Sequence, residues 1–177
     1  RPENKRVWAS LSKSKEEVIG EVKQEMDRRD PHTAKKRVAL TDGERALQGC
    51  VKKVLMDILL ILDLLHVLQY LWKAAHVFHP ENSPEAEAWV KQRVLRILRG
   101  DVSQVVKGLR QMITKRKLRG AKCKTLRCVA NYFYRNRSRM RYDQYLARGF
   151  PIATGVVEGA CKNLIKDRME RSGMRWT

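Results

Sequence analysis

The chain has 177 residues, with 38 Lys or Arg against 19 Asp or Glu and a formal net charge of +19. That length fits one domain with little room for a second, and the cation excess points to a polyanionic partner, nucleic acid above all. An apolar content of 43% is enough to build a core, which argues against disorder, while 10 Gly, 5 Pro and 4 Cys exclude collagen-like and disulfide-scaffold classes.

The longest apolar run, Ile58 to Val67, is interrupted by Asp63 and His66. It is far below the ~20 residues that cross a bilayer, so no membrane partner is expected. The first ten residues carry no secretory signal. The chain starts at Arg1 and stops after Trp176-Thr177, which reads as an internal or processed piece of a longer polypeptide. Cys50, Cys123, Cys128 and Cys161 are scattered, without a His pair at zinc-finger spacing. They read as free thiols of a reducing cytosol.

Ser14 followed by Glu17 is a capping box, and Val18, Val22 and Met26 recur at helical spacing. A helix is predicted over 15–29, ended by Asp30-Pro31. Arg37 to Thr41 reads as a short strand closed by the turn pair Asp42-Gly43. Glu44 to Lys52 reads as a helix, and Val54 to Leu62 as a buried strand ending at Asp63. The period then changes, and Leu64, Val67, Leu68, Leu71, Trp72, Ala75 and Phe78 form a wide apolar helix face over 64–79, stopped by Pro80. Ser83-Pro84-Glu85 opens a helix to Leu98, and Asp101 caps another that runs to Lys117. Residues 101–150 hold 14 Lys or Arg but only two acids, Asp101 and Asp143, with Tyr132, Phe133, Tyr134, Tyr142 and Tyr145 in and beside the basic stretch. After Gly149-Phe150-Pro151 a last helix is expected over 155–171. The order predicts an α/β chain dominated by helices, in which a few parallel strands with packed helices are followed by an all-helical block over 80–150.

Three acidic positions bear on chemistry. Asp42 ends a strand, where open α/β sheets present ligand groups, although Asp-Gly is also a common plain turn. Asp63 ends the second apolar run and can cap the next helix. His66 stands one helical turn on, so the two side chains can touch, fixing the imidazole tautomer or holding it protonated. Glu158 falls in the first turn of the last helix, where the helix dipole favours a carboxylate and Lys162 can pair with it. Lys162 and Lys166 continue its stripe as a phosphate track. In so basic a protein, strand-end carboxylates suit metal-dependent phosphodiester chemistry, in which two divalent cations about 4 Å apart activate a water or a 3′-hydroxyl. Mg²⁺ prefers a few carboxylates with waters and phosphate oxygens. Nucleotide P-loop, dinucleotide and serine-hydrolase signatures are absent. Lys107, Arg110, Lys115, Arg116 and Lys117 begin a candidate DNA track, with Tyr side chains available to stack on unpaired bases.

Several segments together resemble one group: Arg1-Pro-Glu-Asn-Lys-Arg-Val-Trp-Ala-Ser10, Val38-Ala-Leu-Thr-Asp42-Gly43, Leu62-Asp-Leu-Leu-His66 onward to His76, Ser83-Pro-Glu-Ala-Glu-Ala-Trp89, and Pro151-Ile-Ala-Thr-Gly-Val-Val-Glu158-Gly-Ala-Cys161. They are similar to bacterial insertion-sequence transposases of the ISKra type, relatives of the Mutator-like DDE enzymes. The resemblance implies a partial RNase H-like core over 1–79, a basic helical insertion over 80–150, and a catalytic helix over 151–177 that returns to the core. It implies Asp42 and Glu158 as the second and third catalytic, metal-binding acids. It implies Asp63 and His66 as an Asp-x-x-His signature with a structural or DNA-strand role. The cofactor would be Mg²⁺ or Mn²⁺ in a two-metal site, completed by an Asp that has no match in this sequence, so the chain alone is expected to be inactive. The implied partners are the element's terminal inverted repeats and target DNA, with a homodimer in the intact enzyme, no small-molecule substrate, and a bacterial cytoplasmic, nucleoid-associated location. A non-catalytic nucleic-acid-binding module is the alternative that the same charge allows.

Overall fold

A computed structural model describes residues 10–154 together with Arg6 and Trp8. Helices dominate, together with a small parallel sheet of two strands. In chain order the elements are α1 (Lys15–Arg29), β1 (Val38–Thr41), α2 (Arg45–Val54), β2 (Leu59–Leu62), α3 (Leu64–Ala75), α4 (Pro84–Leu98), α5 (Val102–Lys115), α6 (Gly120–Asn136), a 3-10 turn (Arg137–Arg139) and α7 (Tyr142–Ala147). The expected last helix over 155–171 lies outside the described residues. Among the described residues no helix is long and apolar enough to cross a membrane.

The chain divides into two compact units, residues 1–61 and 62–177. In the first, the capping box forms as its residues dictate. The Glu17 N–H donates to Ser14 Oγ at 3.3 Å, and the Ser14 N–H donates to the Glu17 carboxylate at 2.6 Å. The Ser14 N–H above all, and then the Ser14 hydroxyl, hold the Glu17 carboxyl below its usual range. Helix α1 packs on α2, and Ile19, Val51 and Leu60 make the core, with Ala39, Leu47, Cys50, Val54, Leu55 and Ile58 around them. The βαβ connection through α2 places β1 beside β2. Buried Gln48 donates to Thr41 Oγ1 at 3.2 Å and so ties the crossover helix to the end of β1.

The apolar run after residue 53 differs from expectation. Val54 is the last residue of α2, and strand geometry begins only at Leu59. Leu47, Val51 and Val54 lie at helical spacing on one face, and that face extends the helix past Lys52. Met56 and Asp57 are exposed in the connection. A short apolar run alone does not separate buried strand from buried helix.

The second unit is a helical assembly. Helix α5 packs along α6, α3 lies against both α4 and α6, and α4 also meets α5 and α7. Its core is apolar, with Val67, Leu71, Ile97, Leu109, Leu126 and Phe133 all but sealed from solvent. Ser83 caps α4, accepting from the Ala86 N–H at 3.2 Å, and Pro84 occupies the first turn, where its missing N–H costs nothing. Gly100 turns the chain between α4 and α5 at φ +87°, and a Cβ there would come within 3.0 Å of Asp143 Cγ. Arg93 of α4 sits 3.5 Å over the Trp89 ring and donates to Trp89 O at 3.0 Å. Partial burial, with Arg96 near, pushes its guanidinium down to about 10.

Candidate nucleic-acid interface

The predicted site residues fall in separate places. Asp42 is exposed at the carboxyl end of β1, and its Oδ1 accepts from the Glu44 N–H at 2.9 Å, with Gly43 at φ +91°. This is the local geometry of an Asx-type turn. Glu158, Lys162 and Lys166 lie outside the described residues.

Asp63 is 1% exposed and caps α3, accepting from the Leu65 N–H at 3.1 Å. It also accepts from the Thr154 N–H at 3.2 Å and from the Thr154 hydroxyl. Beside it the Leu64 N–H donates to Ile152 O at 2.9 Å, and the Tyr142 hydroxyl donates to Leu62 O at 2.8 Å. The expected contact between Asp63 and His66 is not the one formed. His66 Nδ1 pairs instead with Gln69 Oε1 at 3.2 Å. The reason is geometric: an N-cap side chain folds back over the first-turn N–H groups, while a residue three positions on projects from the helix flank. The signature therefore splits, with Asp63 binding the chain ahead of residue 155 and His66 bonding within its own helix.

The basic track is partly assembled. Lys107, Arg110 and Lys115, with Ser103, Gln111 and Thr114, recur at three- and four-residue spacing on one exposed face of α5. They line a cleft of about 490 Å³, to which Tyr134 and Arg137 contribute from the end of α6 and the 3-10 turn. Arg110 and Arg137 lie over the Tyr134 ring, 5.1 and 4.2 Å from its centroid. Arg110 Nη2 donates to Asn131 Oδ1 at 3.4 Å and Arg137 Nη1 to Tyr134 O at 2.7 Å, so both guanidiniums are tethered. None of these cations has a carboxylate partner among the described residues. Arg116 is held elsewhere, 4.5 Å over the Phe78 ring, and Lys117 sits in the turn after α5 at φ +48°.

Arg137 was missed from sequence as a site residue. Its signal was the three-residue interval from Tyr134, which brings the two together across the helix end. A second hollow of about 480 Å³ adjoins this face, sharing Ser103 and Arg137, and it contains Asp143 and Arg141.

Comparison with protein-family models, with curated proteins and with solved structures gives no match to this chain.

Proposed function

We propose that this chain binds DNA through the cationic face of α5 and the end of α6, and that it does so as part of a DDE-type transposase core. The observation that carries the reading is the cleft itself: Lys107, Arg110, Lys115 and Arg137 converge on it without a neutralising acid among the described residues. Cations so placed release the counterions of a phosphate backbone, which gives salt-sensitive and largely sequence-independent affinity. The surrounding residues 101–150 strengthen the case, since 14 Lys or Arg face two acids there.

The enzymatic half of the proposal rests on the family resemblance and on two placements. Asp42 offers an exposed carboxylate at the end of β1, the donor type that hard Mg²⁺ or Mn²⁺ takes. Asp63 anchors Thr154, four residues before Glu158 in the sequence. Asp42 and Glu158 would hold the metal, which when bound would neutralise phosphate charge and activate the attacking oxygen. The chain's own contribution is to bind the backbone and to fix residue 154 against the second strand end.

Two measurements test the proposal. Fluorescence anisotropy of a labelled DNA should show binding at low salt that weakens steeply as salt rises; no binding at low salt removes the reading. Mn²⁺ binding followed by calorimetry should fall in Asp42→Ala and in Glu158→Ala. If both variants keep the parent affinity, the transposase reading is abandoned and a non-catalytic nucleic-acid-binding module remains.

A further inference from the structure

We propose that the cleft between α5 and α6 is a subsite for one unpaired nucleotide of a DNA strand. The inference rests on the DNA-binding reading above and names its substrate class. A duplex presents a convex backbone and keeps its bases stacked inside, so it can touch the cationic rim but cannot fill a hollow between two helices. An unpaired nucleotide can enter base first and leave its phosphate at the rim. The volume of about 490 Å³ lies within the range of pockets that enclose small ligands.

The lining has the chemistry for both halves of a nucleotide. Val106, 4% exposed, closes the floor, and Tyr134 stays 46% exposed although the adjacent Phe133 is fully buried. The Tyr ring and the planes of Arg110 and Arg137 are the kinds of surface on which unstacked bases settle. Both arginines are tethered next to that ring, so little side-chain freedom remains to be lost on binding. Lys107 and Lys115, eight residues or about 12 Å apart along α5, both line the cleft and offer ammonium groups to the strand's phosphates at its rim.

The test uses the full chain, a single-stranded oligothymidine, a duplex of matched length and thymidine monophosphate, all at one salt concentration. The strand should bind more tightly than the duplex. Tyr134→Ala should lower strand affinity roughly 5- to 100-fold and leave duplex affinity nearly unchanged, while Tyr134→Phe keeps the parent behaviour. Arg137→Ala removes a phosphate contact as well as a stacking surface, so it should weaken binding to both DNAs but to the strand by more, and a 2-aminopurine placed in the strand should report stacking that Tyr134→Ala abolishes. Equal affinity for strand and duplex, with Tyr134→Ala indifferent, overturns the subsite and leaves DNA binding intact. Monophosphate binding as tight as the strand assigns the cleft to a free nucleotide and overturns it as well. Binding to neither DNA removes this inference together with the reading beneath it.

Discussion

Replacing Asp63 separates a structural acid from a catalytic one. The side chain is 1% exposed, caps α3 through the Leu65 N–H, and accepts from both the N–H and the hydroxyl of Thr154. Truncation to Ala removes the cap, at a cost of about 1 kcal/mol. It also strips the acceptor from two Thr154 donors, each of which costs about 1 kcal/mol more. The sum is about 3 kcal/mol, equivalent to a fall in Tm of roughly 6–12 °C for a chain of this length. Asp63→Asn behaves differently. Its amide oxygen can still accept from Leu65 and Thr154, and its NH₂ can donate to the Thr154 hydroxyl oxygen, so its cost stays within about 1 kcal/mol. Urea unfolding followed by far-UV circular dichroism reads both variants. Thr154→Val, combined with Asp63→Ala, should show a coupling of about 1–2 kcal/mol in a double-mutant cycle. If Asp63→Asn were as damaging as Asp63→Ala, the negative charge and not the acceptor geometry would be what matters. The hydrogen bonds from Leu65 and Thr154 would then not be what Asp63 contributes to stability.

Two further perturbations probe the same unit. Tyr142 is fully buried and donates to Leu62 O, and burial above all, with Tyr132 and Asp63 adding to it, pushes its phenol above the usual range. The fold therefore favours the protonated form. That contribution is whole below the unfolded pKa of about 10 and is lost as pH rises beyond it. Tyr142→Phe should cost about 1 kcal/mol at neutral pH and flatten the alkaline limb of the stability curve, both visible in urea titrations across pH. On the DNA side, Lys107→Ala and Lys115→Ala should each reduce the slope of log affinity against log salt by about 0.7 for a single strand. An unchanged slope in the double variant would place the DNA on another surface.

What the sequence made legible was local. Ser14 with Glu17, Ser83 with Pro84, and Asp63 ahead of an apolar helix face each announce a helix start through the chemistry of orphan N–H groups, and each cap is formed. The face of α5 was equally readable, because Lys107, Arg110 and Lys115 share a helical period that one element satisfies alone. Contacts that depend on distant pairing were not readable. Asp63 meets Thr154 across 91 positions, and no local pattern distinguishes that partner from His66 three residues away. Val54 went to the helix because its periodicity with Leu47 and Val51 outweighed the β-preference of a Val-Leu-rich run. Arg137 joins the cleft only because α6 ends one residue before it and the chain tightens into a 3-10 turn.

The distribution of charge between the two units bears on which of them meets a polyanion. Residues 1–61 contain 14 Lys or Arg against 10 Asp or Glu, whereas residues 62–177 contain 24 against 9. In the first unit cations find acids of their own: Lys13 with Glu21, Lys15 with Glu44, Lys53 with Glu16, and Arg37 with Asp27 at 2.8 Å. Glu25 gathers Arg28 and Arg29, and those hydrogen bonds hold its carboxyl at about 2. The second unit builds its core from Val, Leu, Ile and aromatic side chains, and nothing in that packing requires surplus positive charge. Self-repulsion among its cations works against the compact state. A ligand that binds only the folded form offsets that repulsion by mass action, so DNA should raise the stability of this unit as its concentration passes the dissociation constant. Among the described residues the surplus lies on exposed helix faces and around a cleft, where folding does not explain it, and that placement supports the proposed phosphate-backbone partner.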